Sequence, residues 1–241
     1  MNILSDDVKI LIRKLAIPAS VGTLFQTLYN IVDTFFAGKI SPEALAALTK
    51  SFPIYFILIA SSIGITVAGT SLIGNCIGEK KFNKATTYFC QLIFFSIILI
   101  LFITLIGLNF SDDVFKIMGS TDEVMNLGLD YTNIIFYGTF LFIIVVAMNS
   151  LLHAEGDTKT YRNALIISFL LNIILNPILI FGFLFIPAFG MKGIGIATII
   201  AQSISLIIVF SNVIKSELTK KIIINNFFTK IYFLQNIFLQ T

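Results

Sequence analysis

Charge is scarce in this 241-residue sequence: Asp, Glu, Lys and Arg together make up 12% of it. A water-soluble domain averages about a quarter charged residues, so the shortage excludes an ordinary soluble protein. Histidine occurs once, as His153, and cysteine twice, as Cys76 and Cys90. That set matches no metal-ligand spacing, and two thiols among apolar neighbours read as packing groups rather than a redox pair. The sequence has no Walker-type phosphate loop and no nucleophile elbow. Nothing therefore points to an enzyme, to ATP as an energy source or to a cofactor. The opening residues carry acids and no small-residue cleavage site follows, so the first apolar stretch is expected to remain as a span. The net charge of +3 is modest, and its basic residues gather between apolar runs. They call for no nucleic-acid partner.

What is present is apolar length. Hydrophobic residues reach 57% and the mean hydropathy is +0.96. Six apolar segments stand out, at 11–37, 46–75, 87–109, 127–152, 162–186 and 191–214. Each is near or above the roughly 20 residues that a bilayer-crossing helix needs. Glycine, proline and charge mark the breaks, as in Gly38-Lys39-Ile40-Ser41-Pro42 and Glu155-Gly156-Asp157-Thr158-Lys159. The expected fold is an all-α polytopic membrane protein, a six-transmembrane-helix bundle over 1–214, with consecutive helices antiparallel because the loops are short. Residues 215–241 mix Lys with Ile, Phe and Tyr, too interrupted to cross a bilayer. They read as a cytoplasmic amphipathic tail or linker.

Twelve basic residues fall on one side of such a bundle: Lys9, Arg13, Lys14, Lys80, Lys81, Lys84, Lys159, Arg162, Lys215, Lys220, Lys221 and Lys230. Only Lys39, Lys50, Lys116 and Lys192 fall on the other. The excess of cations on cytoplasmic loops then puts both termini in the cytoplasm of a cell membrane, inner or plasma.

Against this background one acid stands out. Asp33 lies within the first span, and Pro18, Gly22, Gln26 and Asn30 precede it at helical spacing with Tyr29 alongside. A carboxylate at the bilayer centre costs about 2.5–3.5 kcal/mol on insertion scales. It either holds a proton or ion, or it merely sits at the outer interface near Lys39. Pro18 removes a backbone bond and permits a bend in the same helix. On the fifth span Ser168, Asn172 and Asn176 recur every four residues and share a face, with Pro177 directly after. The amides are either interhelical glue worth about a kcal/mol or less, or partners for a nearby carboxylate. Thr198, Gln202 and Ser205 mark a face of the sixth span, and Tyr131 and Tyr137 mark the fourth. Gly64, Gly69 and Gly74, with their serines, indicate close packing of the second. His153 is either a helix-end residue or a proton relay.

Several of these segments resemble the multidrug and toxic compound extrusion (MATE) family. The resemblance rests on Leu15-Ala16-Ile17-Pro18, on Tyr29 to Gly38 and on Ala44 to Leu48 followed by Phe52-Pro53. It continues through Gly69 to Gly78, Glu155 to Lys159, Asn172 to Pro177 and Gly193 to Thr198. The order and spacing hold over residues 10–210. The resemblance implies one lobe of a twelve-helix secondary antiporter that exports cationic, amphipathic drugs or other xenobiotics in exchange for protons or sodium. It implies that Asp33 takes the coupling cation, with Tyr131, Asn172, Asn176 and Thr198 around it, and that Pro18 is the bend. Gln26, Asn30 and Gln202 would line the cleft, and sodium at Asp33 would be the one metal. Some members carry a second carboxylate where this sequence has Asn176, which leaves the choice between proton and sodium open.

Only the N-terminal lobe of the family pattern is matched. The expectation is therefore a fragment or truncated reading frame, or a lobe that pairs with a second six-helix lobe or with its own copy in the lipid bilayer. Two rival functions remain, a flippase for a lipid-linked carrier and a non-transporting half-protein that partners a second lobe.

Overall fold

The computed structural model describes residues 8–222 and residue 226. A helical turn, Val8–Leu11, and a wider π-type turn, Ile12–Ala16, lead directly into the first long helix. The helices are α1 (Ile17–Ile40), α2 (Pro42–Gly78), α3 (Phe82–Ile117), α4 (Asp122–Tyr137), α5 (Thr139–Ala154), α6 (Lys159–Phe181) and α7 (Met191–Val213). Five continuous stretches are long and apolar enough to cross a membrane, and α4 with α5 forms a sixth that is bent by 45°. The six-span, all-α architecture read from the sequence is the one observed.

The differences lie at the span ends. Helices α2 and α3 run to 37 and 36 residues, about 55 Å each, so their polar ends continue past the roughly 30 Å of hydrocarbon. The fourth span is not one rod. It breaks at Gly138, where a methyl group would fall 1.8 Å from the end of Ile199 on α7. The break leaves the Phe136 carbonyl exposed to capping, and the hydroxyls of Thr139 and Thr104 both donate to it, at 2.8 and 3.3 Å. The fifth span stops at Phe181 rather than 186, because Gly182 takes φ +82° and turns the chain into a tight hairpin. In that hairpin Phe183 and Ile186 exchange both backbone bonds.

The other turns follow from local chemistry. Ser41 caps α2 by accepting from the Ala44 amide, and Thr121 caps α4 through Val124. Gly156 at φ +86° turns the chain, and Asp157 then accepts from the amides of Lys159 and Thr160, closing the start of α6. Lys50 reaches from α2 to the end of α3, where its ammonium donates to the Met118 and Gly119 carbonyls and to Ser120 Oγ. Those bonds use all three of its protons, and they satisfy carbonyls that a helix end leaves orphaned.

Small residues set the packing. Gly69 lies against Ser150 of α5, and Gly107 against the ring of Phe136. Cys76 and Cys90 are buried free thiols. Helix α1 packs mainly on α6, and α6 in turn on α7. That arrangement places one face of the first span against the amide-bearing face of the fifth.

Of the tail, only 215–222 and Asn226 are described. Ser216 and Leu218 are buried, Thr86 donates to the Leu218 carbonyl, and Gln91 donates to the Asn226 carbonyl. The segment after α7 thus lies across the start of α3, and Ser216 bonds Glu155 at the end of α5. Residues 223–225 and 227–241, which carry most of the expected amphipathic segment, lie outside the described residues.

Candidate functional site

Helix α1 buries Pro18, Gly22, Tyr29, Asp33 and Ala37. Gly22 is what allows the approach to α6: a methyl group there would sit 3.3 Å from Leu165 and 3.5 Å from the Arg162 backbone. About three turns further along, Asp33 is only 4% exposed. Its carboxylate thus points into the bundle rather than onto its surface.

Two helices supply its partners. Asn172 and Asn176, one turn apart on α6, both donate to Asp33 Oδ1, at 2.9 and 2.8 Å. Thr198 of α7 lies 3.3 Å from Oδ2. Its single proton has a shorter acceptor in the Ile194 carbonyl at 3.0 Å, so Oδ2 is the less satisfied oxygen. An ionised carboxylate accepts at both oxygens, whereas a protonated one donates. A proton on Oδ2 would find Thr198 Oγ as its acceptor while Thr198 keeps its own bond to Ile194. Either protonation state thus finds partners in the cluster, but the neutral one keeps only weaker bonds to the two asparagines, which are charge-assisted while Asp33 is ionised.

Two further oxygens stand beside it. Tyr29 Oη lies against Thr198 and Asn172 without hydrogen-bond geometry, and Asn176 Oδ1 is likewise buried and unpaired. Together with Asp33 Oδ2 they are buried oxygens with spare lone pairs. Carboxylate, carbonyl and hydroxyl oxygens are the ligand type that hard cations prefer.

The site opens onto a cavity of about 350 Å³ lined by Asn30, Asp33, Thr34, Leu48, Thr49, Phe52, Pro53, Tyr55 and Tyr131. Tyr131 is buried and meets Tyr55 edge-on at 6.0 Å. It reaches the site as cavity wall, and the hydrogen bonds to Asp33 come from the two asparagines and Thr198. A shallower groove shares Asn30 and Thr34 and runs along α1 past Phe35 to Lys39.

The remaining sequence candidates separate. Asn30 is exposed and faces the cavity, while Gln26 is exposed and lines neither space. Gln202 is half-buried one turn beyond Thr198. Ser168, which shares the asparagine stripe, donates instead to the Ala201 carbonyl and pairs with Ser205, joining α6 to α7. Pro18 sits just past the π-type turn. A helix interrupted at residue 18 leaves the Lys14 carbonyl without its usual donor, and Thr158 Oγ lies 3.4 Å from it. His153 is held within α5, its ring nitrogen 3.2 Å from Asn149 and its face edge-on to Tyr161. Tyr55 and Thr49 were not singled out from sequence, whereas Leu48 closes the Ala44 to Leu48 segment that was. A single tyrosine in an apolar helix makes no periodic signal, and on α2 only that segment and the Phe52-Pro53 pair pointed at this wall.

Comparison with known proteins decides the family: the MatE family model matches residues 18–178. The chain belongs to the MatE family. The probable multidrug resistance protein YoeA of Bacillus subtilis (strain 168) is 30% identical over 186 residues, which is 77% of this chain and 40% of that protein. The FAD transporter of Shewanella oneidensis is 26% identical over 205 residues, 85% of this chain and 45% of the relative. A crystal structure of a MATE in the bent conformation superposes with a TM-score of 0.87 at 28% identity, covering 98% of this chain and 52% of that one. This MatE chain therefore spans about half the length of the proteins it matches, and it is a multi-pass membrane protein with the fold of one transporter lobe.

Proposed function

We propose that this chain forms the ion-coupling lobe of a secondary antiporter that exports cationic, amphipathic drugs or toxic compounds in exchange for protons or sodium. The observation that carries the reading is a buried carboxylate, Asp33, held by side chains of two other spans and open on one side to a cavity. Proposed as the coupling set are Asp33, Asn172, Asn176 and Thr198, with Tyr131 as the wall between that set and the cleft. A proton would take Oδ2 of Asp33. Sodium would use the same oxygen with Asn176 Oδ1 and Tyr29 Oη, the unpaired atoms beside it.

Coupling follows if the two occupants favour different shapes. With Asp33 ionised, α1 stands straight and the cleft accepts a cation. Neutralising Asp33 loosens its hold on the asparagines, α1 bends at the π-type turn and Pro18, and the cleft closes on its cargo. Alternating access of this kind needs a second bundle facing the cavity, so the working unit includes a second six-helix lobe, whether part of the same polypeptide, a separate one or a second copy. We place the lobe, residues 1–214, in the cell membrane with both termini and the 215–241 linker on the cytoplasmic side.

A flippase for a lipid-linked carrier is the weaker reading. Its pyrophosphate would call for basic side chains in the cleft, and Lys50 on α2 spends its three donors on the end of α3. The half-protein reading is separated by the same test as the main one. That test is dye and drug efflux from a pump-deficient host expressing the chain with and without a second lobe. Asp33→Asn should abolish gradient-driven efflux while membrane insertion stays at the wild-type level. Wild-type efflux by that variant would overturn the assignment, and an active pair of lobes that tolerates Asp33→Asn would leave this chain as a structural partner.

A further inference from the structure

Among the described residues, the hairpin between α6 and α7 carries the most exposed run of consecutive large apolar side chains. Phe183, Leu184 and Phe185 are 59%, 83% and 99% exposed. Ile186 and Phe189 are exposed as well. In water such a cluster would be a liability. No charged residue occurs between Arg162 and Lys192, so the hairpin continues an uncharged stretch rather than interrupting it.

We infer that this hairpin is a lipid-binding element, seated in the interfacial layer of the bilayer at the end opposite the lysine-rich loops. Three observations name lipid as its occupant. The first is continuity. The outward face of α6 carries Ile167, Leu170, Ile174 and Phe181, all exposed, and Phe183 and Leu184 extend the same apolar surface beyond the helix end.

The second is length. From Arg162 to Phe181 the helix rises about 28 Å, close to the roughly 30 Å of hydrocarbon in a bilayer. With Arg162 at one headgroup layer, the hairpin starts at the other. The turn that joins α3 to α4 stands further out, since Asp130, the partner of Lys192 at the hairpin's base, is two turns inside α4.

The third is the backbone. Phe183 and Ile186 satisfy each other, and the amides of Phe189 and Gly190 return to the Leu179 and Ile180 carbonyls. Pro187 has no amide to satisfy. Those bonds remove part of the desolvation cost that keeps loops out of lipid. The amides of Leu184 and Phe185 take no part in them, and Leu184 adopts φ +52°, so the tip belongs where water still reaches. That sets its depth at the headgroup boundary, the level at which aromatic rings concentrate.

The consequence is mechanical. Phe181 follows Asn176 by five residues, and the hairpin base precedes Thr198 by about two turns. An anchored hairpin holds both helices that partner Asp33 to the membrane frame, so that α1 is the element free to move against them.

The sequence contains no tryptophan, so Phe185→Trp places a single reporter at the tip of the full chain. Its emission is read in proteoliposomes of phosphatidylcholine brominated either near the headgroup or deep in the acyl chain. The expected result is quenching by about half or more with shallow bromines and less with deep ones, as befits a ring at the interface. Quenching by aqueous acrylamide with no response to brominated lipid would overturn the inference by placing the tip in water. A signal shielded from both quenchers would overturn it by showing that protein, a second copy or a second lobe, covers the hairpin. Leu184→Trp repeats the measurement should the first variant fail to fold. None of these outcomes depends on transport, so the antiport reading stands or falls separately.

Discussion

Asp33 has one oxygen bound by two amides and the other facing only a distracted hydroxyl. The asymmetry makes the asparagines the residues whose loss should be felt through Asp33 itself. Asn172→Leu removes one donor from a charged acceptor, a change worth about 1.5–3 kcal/mol where the acceptor stays ionised. In a chain already carrying Asp33→Leu the same substitution should cost little. A double-mutant cycle read by thermal unfolding in detergent should give a coupling of about 0.5–3 kcal/mol. Additive losses would make Asn172 interhelical glue.

Outside the membrane, Glu155 gives a prediction with a defined sign. Burial pushes its carboxyl above the ordinary glutamate range, Asp157 and Glu217 add to the rise, and a hydrogen bond from Ser216 only partly offsets it. A carboxyl raised in the folded state favours the protonated form there, so its contribution is intact at low pH. That contribution is lost as pH climbs through the raised value. Glu155→Gln should therefore match wild type below about pH 4 and melt higher than wild type toward neutrality. A constant gap across the pH range would show that the carboxyl is not what titrates.

At the scale of elements, the α6–α7 pair is fixed by backbone contact rather than by side-chain fit. A methyl group on Gly193 would lie 2.7 Å from the Leu179 carbonyl carbon and oxygen. No rotamer can relieve that clash, so Gly193→Ala should force the helices apart and cost about 1–3 kcal/mol. It should also weaken efflux by parting Asn176 from Thr198. Gly138→Ala meets only the flexible end of Ile199 and should be restored by pairing it with Ile199→Ala. The readout is thermal unfolding of the three variants. Full stability of Gly193→Ala would mean that the two helices close less tightly than described.

The elements were largely legible in the sequence because charge is so rare that every break between spans shows. What stayed hidden followed from the same economy of polar residues. The apolar hairpin after Phe181 reads as helix, since nothing polar interrupts it and only the φ of Gly182 ends the rod. The need for glycine at 138 comes from Ile199, 61 residues away, and no local pattern encodes that contact. Of the site, the asparagine stripe and Asp33 were visible as polar residues where polarity is costly. Tyr55 and Thr49 were not, because they face the cavity through the path of α2 alone.

Across the whole sequence, twelve of the sixteen basic residues lie in the two terminal segments and in the loops after the second and fourth spans. If the cation bias sets the topology, a membrane-impermeant maleimide should label Glu123→Cys in intact cells and Lys81→Cys only after lysis. Both positions are exposed, and the native Cys76 and Cys90 are buried. The reverse pattern would invert the orientation and put the Asp33 cavity on the opposite side.

The joint at Gly138 has one more implication. Two hydroxyls, one from α3 and one from α5, grip the single carbonyl that the bend releases. An elbow fastened from both sides works as a brace, and a brace in the middle of the lobe turns α2 through α5 into a chassis. Flexing would then be confined to the seam where the first span leans on the sixth helix.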